Sequence, residues 1–121
     1  LPSAGLTDPL FEGIDPTIKC LQWHSVQVKS PPTGAVVLAS SEVCQCQAMR
    51  VGQNAYGIQF HVELQESTIS DWGQVPAYAE ALDNTLGPDS LARMQGQASP
   101  LFPEFRKVSE ILFRNFVEKI A

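Results

Sequence analysis

Near the middle of the chain, Tyr56-Gly57-Ile58-Gln59-Phe60-His61-Val62-Glu63 sets an imidazole and a carboxylate two residues apart. On an extended strand, such residues project to the same face. His61 and Glu63 are therefore expected side by side at the C-terminal end of a strand, provided the strand continues to Glu63. A carboxylate in that position fixes the tautomer of the ring and stabilises the imidazolium formed when the ring takes a proton. Active sites of α/β sheets gather at the carboxyl ends of strands. The pair supplies two thirds of a nucleophile–base–orienter set; the simpler reading is a solvated pair. The third member has no setting in this sequence. A nucleophile elbow needs Gly-x-Cys-x-Gly or Gly-x-Ser-x-Gly, and none of the eight glycines has Cys or Ser two residues on. Cys20, Cys44 and Cys46 fall within predicted strands instead of at strand-to-helix turns.

Metal chemistry finds no better footing. A zinc deaminase carrying His-x-Glu needs a later Pro-Cys-x-x-Cys, and no cysteine follows Cys46. Cys44-x-Cys46 lacks the four-ligand spacing of a zinc site. His24, His61 and Glu63 match no recognised ligand spacing. Neither metal nor other cofactor is expected, and the three cysteines read as buried or half-buried strand residues. Their odd count, with two of them too close to pair comfortably, favours a reducing, cytoplasmic setting.

The elements that must position these groups fall into two unlike halves, strands from about 18 to 63 and helices from 67 to 121. Residues 18–28 are rich in strand formers and end at the loop cluster Ser30-Pro31-Pro32-Thr33-Gly34. Ala35 to Ala39 is a short apolar strand. Val43 to Val51 alternates, with Cys44, Cys46 and Ala48 on one face, and Gly52-Gln53-Asn54 closes a hairpin. Tyr56 to His61 is a further strand leading directly into Glu63. From Thr68 to Leu86 the spacing becomes helical, with a break at Gly73 and Pro76. Gly87-Pro88-Asp89-Ser90 stops that run and caps another. Phe105, Val108, Leu112, Phe116 and Ile120, joined by Ile111 and Phe113, form the apolar stripe of a last helix.

Composition narrows the function classes. The 121 residues are 44% hydrophobic and 17% charged, with a net charge of -5. This is the size of one domain and the balance of a packed chain. The acidic surplus removes the basis for binding nucleic acid or anionic lipid. The longest apolar run, Ala35 to Ala39, is strand-sized and far below the ~18 residues of a membrane span. The chain opens on Leu1, so the expectation is a removed leader or a missing N-terminal part. Four or so strands with helices only at the C-terminus cover one face of a sheet at best. The reading is the later half of an α/β domain, with a small α+β domain as the alternative.

Gly57-Ile58-Gln59-Phe60-His61-Val62-Glu63 resembles the Gly-x-Gln-Phe-His-Pro-Glu signature of class I glutamine amidotransferases. The resemblance extends over residues 8 to 72. It takes in Asp8-Pro9-Leu10-Phe11-Glu12-Gly13-Ile14, Leu21-Gln22-Trp23-His24-Ser25, Pro32-Thr33-Gly34 through Ser41, and Gln47-Ala48-Met49. The resemblance is to stand-alone proteins similar to the glutaminase part of GMP synthase. It implies a flavodoxin-like α/β fold represented by its C-terminal half, residues 1–121 forming part of a single domain whose nucleophile-bearing N-terminal half is absent. It implies that His61 is the general base and acid and Glu63 its orienter. A cysteine would attack the side-chain amide of glutamine, and ammonia would pass to an acceptor on a synthetase domain or partner chain. This chain alone should then be inactive. Val62 departs from the signature, standing where the family has proline; its β-branched side chain still favours extended backbone.

Two other readings stay open: a non-catalytic binding or regulatory domain of the same fold, and a γ-glutamyl hydrolase. His24 could line the glutamine pocket or hydrogen-bond a neighbouring loop. Trp72 reads as a core anchor, and the last helix as core packing. In a half-domain, part of that helix could be exposed and drive self-association.

Overall fold

The computed structural model describes residues 1–23 and 26–121. The expected order holds, strands first and helices after. A short helix α1 (Ser3–Thr7) and a 3-10 turn (Pro9–Phe11) precede β1 (Leu21–Gln22), β2 (Ala35–Ala39), β3 (Ala48–Val51), β4 (Ala55–Ile58) and β5 (Phe60–His61). Helices α2 (Thr68–Gly73), α3 (Pro76–Leu86), α4 (Ser90–Ala98) and α5 (Phe102–Asn115) follow.

β2, β3 and β4 form an antiparallel meander. Ala35 pairs with Val51 and Val37 with Met49, and the register shifts before Ala39 meets Ala48. Ala48 to Val51 then pairs with Ile58 to Ala55. The expected hairpin turn is present at residues 52–54, opened by Gly52 at φ 68, a left-handed conformation in which a Cβ would be strained. β1 and β5 make a separate two-stranded antiparallel pair.

Several expected elements are shorter. Of the predicted strand from 18 to 28, only Leu21 and Gln22 among the described residues are paired. The strand predicted from Val43 forms only from Ala48. Before it, Cys44, Cys46 and Gln47 are all buried, and none of the three cysteines lies in a strand. The cause is local hydrogen bonding. Ser41 and Cys44 exchange backbone bonds, the Ser41 hydroxyl accepts from the Cys44 N–H, and the Gln47 side chain donates to that same hydroxyl. These bonds hold a turn where a ladder was expected. The predicted strand from Tyr56 to His61 divides at Gln59 and ends at His61, so it does not continue to Glu63.

The helical breaks fall where Gly73 and Pro76 put them. Asp89 precedes α4 in the left-handed conformation, φ 59, but its side chain makes no cap; its carbonyl accepts from Arg93 instead. One core joins the halves, with Leu38, Phe60 and Ile69 meeting Phe105, Val108 and Leu112 of α5. Phe113 and Phe116, placed on the predicted stripe, are exposed, and Ile111 and Ile120 are half-buried. No helix among the described residues is long and apolar enough to cross a membrane.

Candidate active site

His61 is the last residue of β5 and pairs with Leu21 of β1. The buried side chains of Phe60 and Val62 anchor the backbone on either side of it. Glu63 lies beyond the strand, yet its side chain turns back to the ring. His61 Nδ1 and Glu63 Oε1 are 2.6 Å apart. The contact expected from strand alternation is therefore made, but by a chain leaving the sheet. The second carboxylate oxygen, Oε2, accepts the backbone N–H of Val62 at 3.0 Å. Burial raises the pKa of Glu63. The hydrogen bond with His61, the backbone N–H groups of Glu63 and Val62, and the imidazole charge outweigh burial and hold the carboxyl below its ordinary value. The pair is open to a reactant, the side chains being 28% exposed for His61 and 59% for Glu63.

An aromatic wall stands behind the imidazole. Trp72 of α2 meets His61 edge to face at a centroid separation of 5.1 Å, and Trp23, just past β1, meets Trp72 at 5.1 Å. Trp72 packs against the core, as expected of an anchor, and it also touches the candidate base. Helical spacing cannot show that second contact, because it depends on where α2 lands. A cavity of about 630 Å³ opens beside these rings, lined also by Gln22, Tyr78, Leu82 and Leu86. That volume suits a small molecule.

Gln59 belongs to the quoted signature but carried no role there. Its N–H donates to the Gln47 carbonyl at 2.8 Å, and its side-chain amide donates to the Val26 carbonyl at 3.2 Å. It couples the end of the meander to the strand that bears His61. His24 lies outside the described residues.

Cys20 and Cys46 do not present an activated thiolate. Burial pushes the Cys20 thiol up, and burial together with the Cys44 charge pushes Cys46 up, the wrong direction for a nucleophile. The Cys44 thiol points to the Cys46 carbonyl and the Gln59 side chain. No cluster of three metal-ligating residues occurs among the described residues.

Comparison with known proteins finds relatives for more than half of the chain. The family described as glutamine amidotransferase class-I matches residues 3–72. The glutamine-hydrolyzing GMP synthase subunit of Sulfolobus acidocaldarius is 38% identical over 74 residues, which are 54% of this chain and 39% of that protein. The corresponding subunit from Archaeoglobus fulgidus is 41% identical over 61 residues, 50% of this chain and 33% of the relative. The glutamine-hydrolyzing GMP synthase of Pyrobaculum aerophilum is 43% identical over 63 residues, 52% of this chain and 12% of the relative. The chain spans at most 39% of the length of these relatives.

Proposed function

We propose, from the premise that this chain belongs to the class-I glutamine amidotransferase family, that His61 is the general base and acid of a glutamine-hydrolysing site and Glu63 its orienter. The premise rests on a match over more than half of the chain. The roles rest on the 2.6 Å contact between Nδ1 and Oε1. With a proton on Nδ1 held by the carboxylate, Nε2 becomes the nitrogen that exchanges protons. A cysteine thiolate attacks the side-chain amide carbon of glutamine. The C–N bond breaks as the imidazolium gives its proton to departing ammonia. Water, deprotonated by His61, then cleaves the thioester and releases glutamate.

The thiolate in this reading comes from residues outside these 121, which form the C-terminal part of one amidotransferase domain. The raised thiols of Cys20 and Cys46 support that division. The chain alone is then inactive. The naming of several relatives as glutamine-hydrolysing subunits of GMP synthase supports glutamine as substrate, with ammonia accepted by a separate synthetase chain. Three free thiols suit a cytoplasmic site of action.

Ammonia and glutamate release from L-glutamine, measured for the 121 residues alone and for the complete protein that carries them, tests the reading. The expected result is no turnover by the chain alone, and turnover by the complete protein that falls about 10²–10⁴-fold in His61→Asn. Steady turnover by the chain alone would overturn the division of labour. Full activity in His61→Asn would remove His61 from the mechanism.

A further inference from the structure

We propose that the backbone N–H of Val62 is a positioning group of this site: by holding Oε2 of Glu63 it aims Oε1 at the imidazole. The terminal torsion of a glutamate side chain is broad and roughly two-fold. A single hydrogen bond therefore leaves the carboxylate plane poorly defined. Here the two oxygens are held separately, Oε2 by Val62 N–H at 3.0 Å and Oε1 against His61 Nδ1 at 2.6 Å. The donor sits on fixed backbone, because the Val62 side chain is buried in the core alongside Phe60 and Leu64. The family signature has proline at this position, and proline has no N–H to give. This chain thus carries an orienting hydrogen bond that the signature residue cannot make, in place of the stiff ring. The inference rests on the reading of His61 and Glu63 as base and orienter, and deepens it.

The test is nuclear magnetic resonance on the complete protein that carries these 121 residues, following the Glu63 carboxyl carbon and the His61 ring nitrogens through an acid titration. Val62→Pro deletes the N–H. Val62→Ala keeps it while also losing core packing, which makes it the matched control. His61 is a strand residue, so it already satisfies the extended conformation required before proline. In Val62→Pro, Glu63 is expected to titrate at higher pH than in the unmodified chain, and His61 to lose population of the Nδ1–H tautomer. Val62→Ala is expected to match the unmodified chain in both. Indistinguishable Val62→Pro and Val62→Ala chains would overturn the proposal.

Should Val62→Pro fail to fold, the unmodified chain decides. Its Val62 amide proton should shift as Glu63 ionises, and Glu63→Gln should abolish that shift. A Val62 amide that ignores Glu63 overturns the positioning role. The underlying reading fails by a different sign: a His61 ring whose tautomer population is unchanged in Glu63→Gln.

Discussion

Asp8 is 4% exposed and would be costly to bury were it not paired. Its Oδ1 accepts from the Tyr56 hydroxyl at 2.8 Å and the Leu10 N–H at 2.9 Å, and its Oδ2 lies 2.9 Å from Arg50 Nε. This cluster ties the Asp8-Pro9-Leu10-Phe11 segment to β3 and β4. Tyr56→Phe should cost about 1–3 kcal/mol, read by urea unfolding, because a buried carboxylate loses a donor. Burial and the hydrogen bond to Asp8 push the Tyr56 phenol up to about 12, above its ordinary 10.0. The folded chain therefore holds that proton more tightly than the unfolded one. The associated stability is fully present below about pH 10 and is lost as pH rises toward 12. In Tyr56→Phe this alkaline slope should disappear. Glu63 has the opposite sign: its depressed pKa contributes above the ordinary carboxylate value, and that contribution is lost as pH falls through the depressed one.

Among the elements, α1 is set by a single hydrogen atom. A Cβ on Gly5 would fall 2.0 Å from the Leu38 carbonyl oxygen, which is backbone of β2 and cannot swing aside. Gly5→Ala should lift α1 from β2 and cost about 1–3 kcal/mol by thermal denaturation. Gly96 in α4 is the contrasting case, since a Cβ there meets nothing within 4 Å. Gly96→Ala should stabilise by about 0.5–1 kcal/mol, because only the helix-propensity gain remains. The division of the predicted strand at Gln59 follows the same logic of distant partners. Its N–H bonds Gln47, on the loop before β3, so β4 stays with the meander while β5 pairs with β1. Alternation in the sequence is blind to that exchange, because residues on both sides of Gln59 remain extended.

Across the whole molecule, the two chain ends are joined by Asn115. Its side-chain amide donates to the Leu10 carbonyl at 2.8 Å and the Glu12 carbonyl at 2.9 Å, while Lys119 pairs with Glu12. Asn115→Ala would orphan carbonyls at a buried site and should cost about 1–3 kcal/mol, seen as a lower denaturation midpoint at an unchanged slope. The same helix shows the limit of reading a stripe. Phe105 is 1% exposed and Val108 and Leu112 are buried, whereas Phe113 is 72% exposed. Apolar spacing identified the helix, but the arc it buries depends on what packs beside it.

The His-x-Glu spacing, the order of strands before helices, and the breaks at Gly73, Pro76 and the 52–54 turn were legible in the sequence. Each is a local preference: side-chain period, turn chemistry, or the missing N–H of proline. The tertiary structure alone decided that the strand divides at Gln59, that Glu63 returns to the ring from beyond the strand, and that Trp72 stands against the imidazole. It also decided that the Val62 backbone N–H meets Oε2 of Glu63. Leu21 and His61 pair across 40 positions of chain, and no local energy encodes which distant backbone will complete a strand. Contacts of that kind arise only when the core closes and each buried donor must find its acceptor.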